Sequence, residues 1–122
     1  MLISIDAASE RPIYEQIADS VRRAMSSGVL KESEKLPPAS EVAAGLAVNK
    51  HTVLRAYQDL RDEGLVDLRR GRGAVVTSAA NTLVALLRDA EKLAIKAAGL
   101  GVSAETLTAM VAQAYEQKKV TT

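Results

Sequence analysis

The stretch Gly45-Leu46-Ala47-Val48-Asn49-Lys50-His51-Thr52-Val53-Leu54-Arg55-Ala56-Tyr57-Gln58-Asp59-Leu60-Arg61-Asp62-Glu63-Gly64 decides the fold. Its first four residues read as a tight turn, with Val48 plugging a core. Asn49 is a good N-cap, because its side-chain oxygen can accept from an unsatisfied N–H of the first turn. Val53, Ala56, Tyr57 and Leu60 then recur at helical spacing and make one apolar stripe. Gly64 stops the run, so a helix is expected over Lys50–Glu63. Upstream, Leu36-Pro37-Pro38 must be extended or turning, since each proline disfavours the helical region in its predecessor. A short helix follows, with Val42, Ala43 and Leu46 as its apolar face. A short helix, a tight turn and a longer amphipathic helix make a helix-turn-helix.

Working outward, Leu65-Val66-Asp67-Leu68-Arg69 alternates like a strand. Arg70-Gly71-Arg72-Gly73 reads as a turn and Ala74-Val75-Val76-Thr77 as a second strand, which together form a β-hairpin, or wing, behind the helices. Toward the N-terminus, Pro12 suits the first turn of a helix over Pro12–Ser27. Ile13, Ile17, Val21, Ala24 and Met25 give that helix its buried stripe, and Gly28 caps it. Leu2-Ile3-Ser4-Ile5 alternates and is expected to form a short strand.

Beyond the hairpin, Ser78-Ala79-Ala80 reads as a small-residue linker and Asn81 as the cap of a new helix. Leu83, Leu86, Leu87, Ala90, Leu93, Ala94 and Ala97 form its stripe, and Gly99-Leu100-Gly101 breaks it. Ser103 caps a last helix, with Glu105 favourable in its first turn and a stripe of Leu107, Met110, Val111, Ala114 and Tyr115. The expected fold is mainly α with a small β-hairpin: a winged helix-turn-helix over residues 1–77, then a two-helix hairpin over 78–122. Two helices joined by a few residues do not bury both stripes alone. Either the hairpin folds back on its own domain or a second copy covers it. The second is preferred, because joining two DNA-contacting domains makes the second contact effectively intramolecular. The homodimer seam is then Leu83, Leu86, Leu87, Ala90, Leu93 and Ala94, with Leu107, Met110, Val111 and Ala114 alongside.

Composition narrows the function. The chain has 122 residues, no cysteine, one histidine and 2% aromatics, all tyrosine. Disulfides, thiolate metal sites and multi-histidine sites are excluded. Base-stacking readers of single strands, which need exposed aromatics, are disfavoured. No clustered carboxylates accompany the lone histidine, so no catalytic set and no cofactor are expected, and the chain reads as a non-enzyme. No membrane-length apolar run and no leader-like start are seen, so a cytoplasmic protein is expected. Net charge is only +1, so distribution matters more than total. Within Val48–Val76 the acids Asp59, Asp62, Glu63 and Asp67 cluster in the middle, which leaves basic groups at the helix start and at the hairpin turn.

A recognition helix sets its N-terminal residues against base edges in the major groove of double-stranded DNA. Those residues are Asn49, Lys50, His51 and Thr52, with Arg55 returning to the same exposed side. Lysine suits guanine or phosphate, histidine and asparagine suit base edges, and threonine offers a hydroxyl or its methyl. Ser40 and nearby backbone N–H groups of the short helix suit a phosphate. At the wing, Gly71 and Gly73 permit close approach and Arg70 and Arg72 reach a minor groove or its phosphates. Other readings stand beside these: Asn49 as a cap only, Lys50 and His51 as solvated surface groups, and Arg55 as half of an Arg55–Asp59 helical pair.

Pro12-Ile13-Tyr14-Glu15-Gln16-Ile17, Gly28-Val29-Leu30, Leu36-Pro37, Glu41-Val42-Ala43, Thr52-Val53, Glu63-Gly64-Leu65 and Gly71-Arg72-Gly73 resemble the GntR family of bacterial regulators. The run Val48–Tyr57 and the short two-helix C-terminal part resemble its YtrA subfamily. The resemblance implies a homodimer on a palindromic operator, usually a repressor, often controlling its own operon and an ABC transporter. Departures are specific. Pro38 and Ser40 stand where the family usually has a serine and a DNA-contacting arginine. Glu32-Ser33 replaces the usual Pro-Gly, Lys50 stands where YtrA-like sequences often have proline, and Leu54 replaces an arginine of other branches. A winged-helix module that binds protein is the rival reading. A small-molecule effector is admitted, but no residue cluster identifies one.

Overall fold

The computed structural model describes residues 2–121. Its elements are α1 (Ile13–Ser26), α2 (Ala39–Leu46), α3 (Lys50–Asp62), β1 (Val66–Arg69), β2 (Gly73–Val76), α4 (Ala79–Gly99) and α5 (Ala104–Thr121). The two strands pair antiparallel, with Val66 opposite Val76 and Arg69 opposite Gly73. The chain divides into two compact units, Met1–Leu86 and Leu87–Thr122, with the division inside α4.

In the first unit the apolar stripes converge as their spacing requires. Ile17, Val21 and Met25 of α1, Val42 of α2, Val53 and Leu60 of α3 and Val66 of β1 are all essentially inaccessible to solvent. Each such side chain is worth about 1.5–3 kcal/mol of burial. Surface ion pairs contribute roughly 0–1 kcal/mol each, so packing dominates the fold. The Arg22 guanidinium nevertheless links α1 to the end of α3, pairing with both Asp19 and Glu63. Burial opposes the charge on Asp19, but hydrogen bonds from Arg11 and Arg22 outweigh it and hold its carboxyl below the usual range.

Three local expectations are corrected. Leu2–Ile5 is not a strand, because no sheet edge receives it. It lies on α1 instead: the Ser4 N–H donates to Ser20 Oγ at 3.1 Å, the Asp6 N–H donates to Gln16 Oε1 at 2.7 Å, and Ile3 enters the core. The linker Ser78-Ala79-Ala80 is largely helix. Thr77 Oγ1 accepts the Ala79 N–H at 3.3 Å, so α4 starts there and Ala80 is buried. Asn81 is therefore not a cap, and its amide donates to Glu32 Oε1 at 3.0 Å. In the helix-turn-helix, Gly45 belongs to α2 and the turn falls on Ala47, at a left-handed φ of 56°.

One element escaped the sequence reading. Residues 33–36 run beside β2 on its other edge, with an antiparallel bridge between Lys35 and Val75. The Ser33 N–H donates to the Val76 carbonyl at 2.9 Å, and the Leu36 N–H to the Ala74 carbonyl at 2.9 Å. Ser33 turns into this edge at φ 74°, a left-handed conformation that favours glycine.

In the second unit, Leu87–Gly99 of α4 and α5 form a helical hairpin. Gly101 turns the chain at φ 77° and the Val102 N–H returns to the Ala97 carbonyl at 2.9 Å. Ser103 is the N-cap of α5, its Oγ accepting the Thr106 N–H at 3.1 Å. Among the described residues of this unit only Ala97 is buried, while Ile95, Leu100 and Tyr115 are each more than 70% exposed.

Candidate nucleic-acid interface

Asn49 adopts an extended backbone and its Oδ1 accepts the His51 N–H at 2.8 Å, so the side chain caps α3. The cap places Lys50 and His51 on the exposed first turn, with Thr52 half-buried. Val53 turns into the core and Arg55 comes back out. Arg55 makes no pair with Asp59; its guanidinium carbon lies over the ring of Tyr14 on α1, 3.7 Å from the centroid. Tyr14 was not singled out by sequence reasoning, because nothing local to α1 or α3 announces a contact across 41 positions.

α2 is set by a different bond. The Tyr57 hydroxyl, inside the domain, donates to the Pro37 carbonyl at 2.6 Å. Burial pushes this phenol well above its ordinary range, with a further push from the Glu41 carboxylate, so it stays a donor. The bond ties α3 to the chain entering α2, where Ser40 is exposed in the first turn.

The wing tip is equally open. The Arg72 N–H donates to the Arg69 carbonyl at 3.0 Å and closes the turn. Gly71 and Gly73 take φ of 81° and 72°, which L side chains rarely adopt. Arg70, Gly71, Arg72 and Gly73 are all exposed. Between the wing and the helices lies a cleft of about 820 Å³, with Pro37, Leu54, Tyr57 and Leu68 on its walls and Arg70 and Arg72 on its rim. Among the described residues Lys50, Arg55, Arg70 and Arg72 make no ion pair, whereas Arg11, Arg22, Arg61 and Arg69 do. The charge at the helix start and wing tip is thus uncompensated. No cluster of His, Cys, Asp or Glu that could hold a metal ion occurs among the described residues.

The residues expected at a dimer seam fall into three groups. Leu83 packs on the core of the first unit. Ala90, Leu93 and Ala94 of α4 and Leu107 and Val111 of α5 line an apolar groove of about 640 Å³, together with Tyr115. Leu86, Met110 and Ala114 are exposed outside that lining, and Leu87 is half-buried.

A capped helix with an open basic start, a helix-turn-helix before it and a basic hairpin behind it define a winged helix-turn-helix protein of the DNA-binding kind. The chain belongs to the gntR family of bacterial regulatory proteins, whose family model matches residues 13–76. It is 34% identical over 112 residues to the HTH-type transcriptional repressor YtrA of Bacillus subtilis (strain 168), spanning 87% of this chain and 86% of that one. Among solved structures, YtrA from Sulfolobus acidocaldarius, a GntR-family transcription factor, is 39% identical, covers 75% of this chain and 99% of its own, and superposes with a TM-score of 0.59. The AraR DNA-binding domain, solved in complex with operator ORX1, is 26% identical, covers 62% of this chain and 93% of its own, and gives a TM-score of 0.54. These relatives are transcriptional regulators and not enzymes, and the chain is likewise a DNA-binding transcriptional regulator. No helix among the described residues is long and apolar enough to cross a membrane.

Proposed function

We propose that this protein is a repressor that acts in the cytoplasm, binding an inverted-repeat operator as a homodimer. The observation that carries the reading is the uncompensated positive charge of Lys50, Arg55, Arg70 and Arg72, held on a capped helix start and a glycine-framed wing. Lys50, His51 and Thr52 enter the major groove. Arg55 takes a phosphate or a purine, and Arg70-Gly71-Arg72-Gly73 follows the minor groove or its phosphates. Ser40 and the start of α2 meet the backbone where the family's arginine is missing. Asn49 contributes by capping, since its Oδ1 is engaged. The groove between α4 and α5 receives a second copy, through Ala90, Leu93, Ala94, Leu107 and Val111, with Leu86, Leu87, Met110 and Ala114 outside its lining completing the seam. Leu83 serves its own domain. Half-sites then repeat near one or more helical turns, roughly 34 Å each. The likeness to the YtrA repressor along most of both chains supports repression, and control of the protein's own operon and a transporter is what the family resemblance implies.

The test is DNA binding across a salt series, on a duplex recovered by the parent chain from a random-sequence pool. Lys50→Ala and Arg72→Ala should each lower the slope of log affinity against log salt by about one. Parent-like binding by both variants at every salt concentration overturns the contact map. Failure to recover any duplex overturns sequence-specific binding itself and favours a protein partner.

A further inference from the structure

We infer that Tyr14 is a positioning residue for DNA binding: its ring is a platform that holds the Arg55 guanidinium ready for the nucleic acid. The inference rests on the reading of Arg55 as a DNA contact. It starts from an asymmetry among the arginines of the first unit. Arg11, Arg22, Arg61 and Arg69 are each oriented by a carboxylate, which also neutralises them. Arg55 is oriented without being neutralised, because its partner is an aromatic face, 3.7 Å from guanidinium carbon to ring centroid.

The distinction matters for an anion-binding group. A carboxylate occupies the N–H fork that a phosphate or a guanine edge would take. A ring covers the flat face of the guanidinium and leaves the in-plane donors open. The ring itself is fixed. Tyr14 is half-buried in the first turn of α1, packed against the core, and α1 packs on α3, with Ile17, Val21 and Val53 buried in the core they share. Arg55 is exposed and carries a long side chain whose freedom is otherwise lost on binding. Stacking removes part of that freedom beforehand and keeps the full positive charge. α1 lies outside the helix-turn-helix, yet by this contact it sets the geometry of one arm of the recognition helix.

The inference is tested in two ways on the full chain. The first needs no DNA. Relaxation of the Arg55 Nε–H by NMR should show a restrained side chain in the parent and in Tyr14→Phe, and a mobile one in Tyr14→Leu. Equal mobility in all three overturns the platform, whatever the protein binds. The second is a double-mutant cycle on the selected duplex, with thermal melts confirming that each variant is folded. Tyr14→Leu should weaken binding about three- to tenfold, the scale of one immobilised side chain. Tyr14→Phe should bind as the parent does, and Tyr14→Leu should cost nothing further in an Arg55→Ala background. Additive losses, or a Phe variant as impaired as the Leu variant, overturn it. If Arg55→Ala itself binds like the parent, the contact reading of Arg55 fails, a different result from a failure of the platform.

Discussion

The two units of this chain treat apolar surface in opposite ways. Residues 2–86 close a core around Ile3, Ile17, Met25, Val42, Val53 and Leu60, and lock it with hydrogen bonds that cross elements. The hairpin of Leu87–Thr122 buries only Ala97 among its described residues and leaves Leu93, Ile95, Met110, Val111 and Tyr115 in the open. Both units are built from amphipathic helices with similar stripes. What differs is the number of elements that meet: three helices, a hairpin and two flanking segments enclose a volume, while two helices leave a groove. A stripe in the sequence therefore marks an apolar surface, and the topology decides whether the same chain buries it.

The comparison can be broken most forcefully in the core. Leu60→Ala should destabilise the first unit by about 2–5 kcal/mol, the cost of a cavity that a packed core cannot close. Denaturant unfolding checks it, and a loss under about 1 kcal/mol would mean that this core is looser than its burial indicates. A charge in the groove should act differently. Leu93→Glu should leave the melting of the first unit unchanged, convert a dimer to a monomer by light scattering, and weaken operator binding about a hundredfold through lost linkage. A dimer that survives the charge would place the partner surface elsewhere.

Tyr57→Phe removes the bond to Pro37 and should cost about 0.5–1.5 kcal/mol. Because the folded state holds the phenol above its ordinary value near 10, this contribution is fully present below about pH 10 and is lost as pH rises beyond it. The parent should thus lose stability relative to the Phe variant as pH rises past about 10, and parallel curves would show that the phenol ionises alike in the folded and unfolded chain. The smallest effect has the opposite sign. Ser33→Gly should stabilise the first unit by roughly 0.5–1 kcal/mol, since glycine meets no Cβ penalty at φ 74° but loses more backbone entropy. An unchanged or lower melting temperature would show that the serine is held there without strain.

Most of the fold was legible where one period dominates. α1, α3 and both strands fall within a residue or two of their expected ends, because Pro12, Asn49, Gly64 and the Gly71/Gly73 turn punctuate clear patterns. Leu2–Ile5 was misread, since alternation reports a face to bury and not the partner that buries it. Ser78-Ala79-Ala80 was misread because small residues suit linkers and helices alike, and Thr77 supplied the cap. The segment at Lys35 was missed because one bridge leaves too short a pattern, although the departure at Glu32-Ser33 marked the loop as unusual. At the candidate site, exposure and charge were readable residue by residue. The support beneath Arg55 was not, as a contact between α1 and α3 exists only once both helices are packed.

The short strap at Lys35 has a consequence for how the domain forms. Its bonds to Ala74 and Val76 close a loop that encloses α2, α3 and β1. Such long-range pairing gains nothing until the chain between its ends has ordered, because loop closure costs entropy first. Pairing of the strap with β2 is thus expected to follow the ordering of α2, α3 and β1, while the β1–β2 hairpin is itself a local contact.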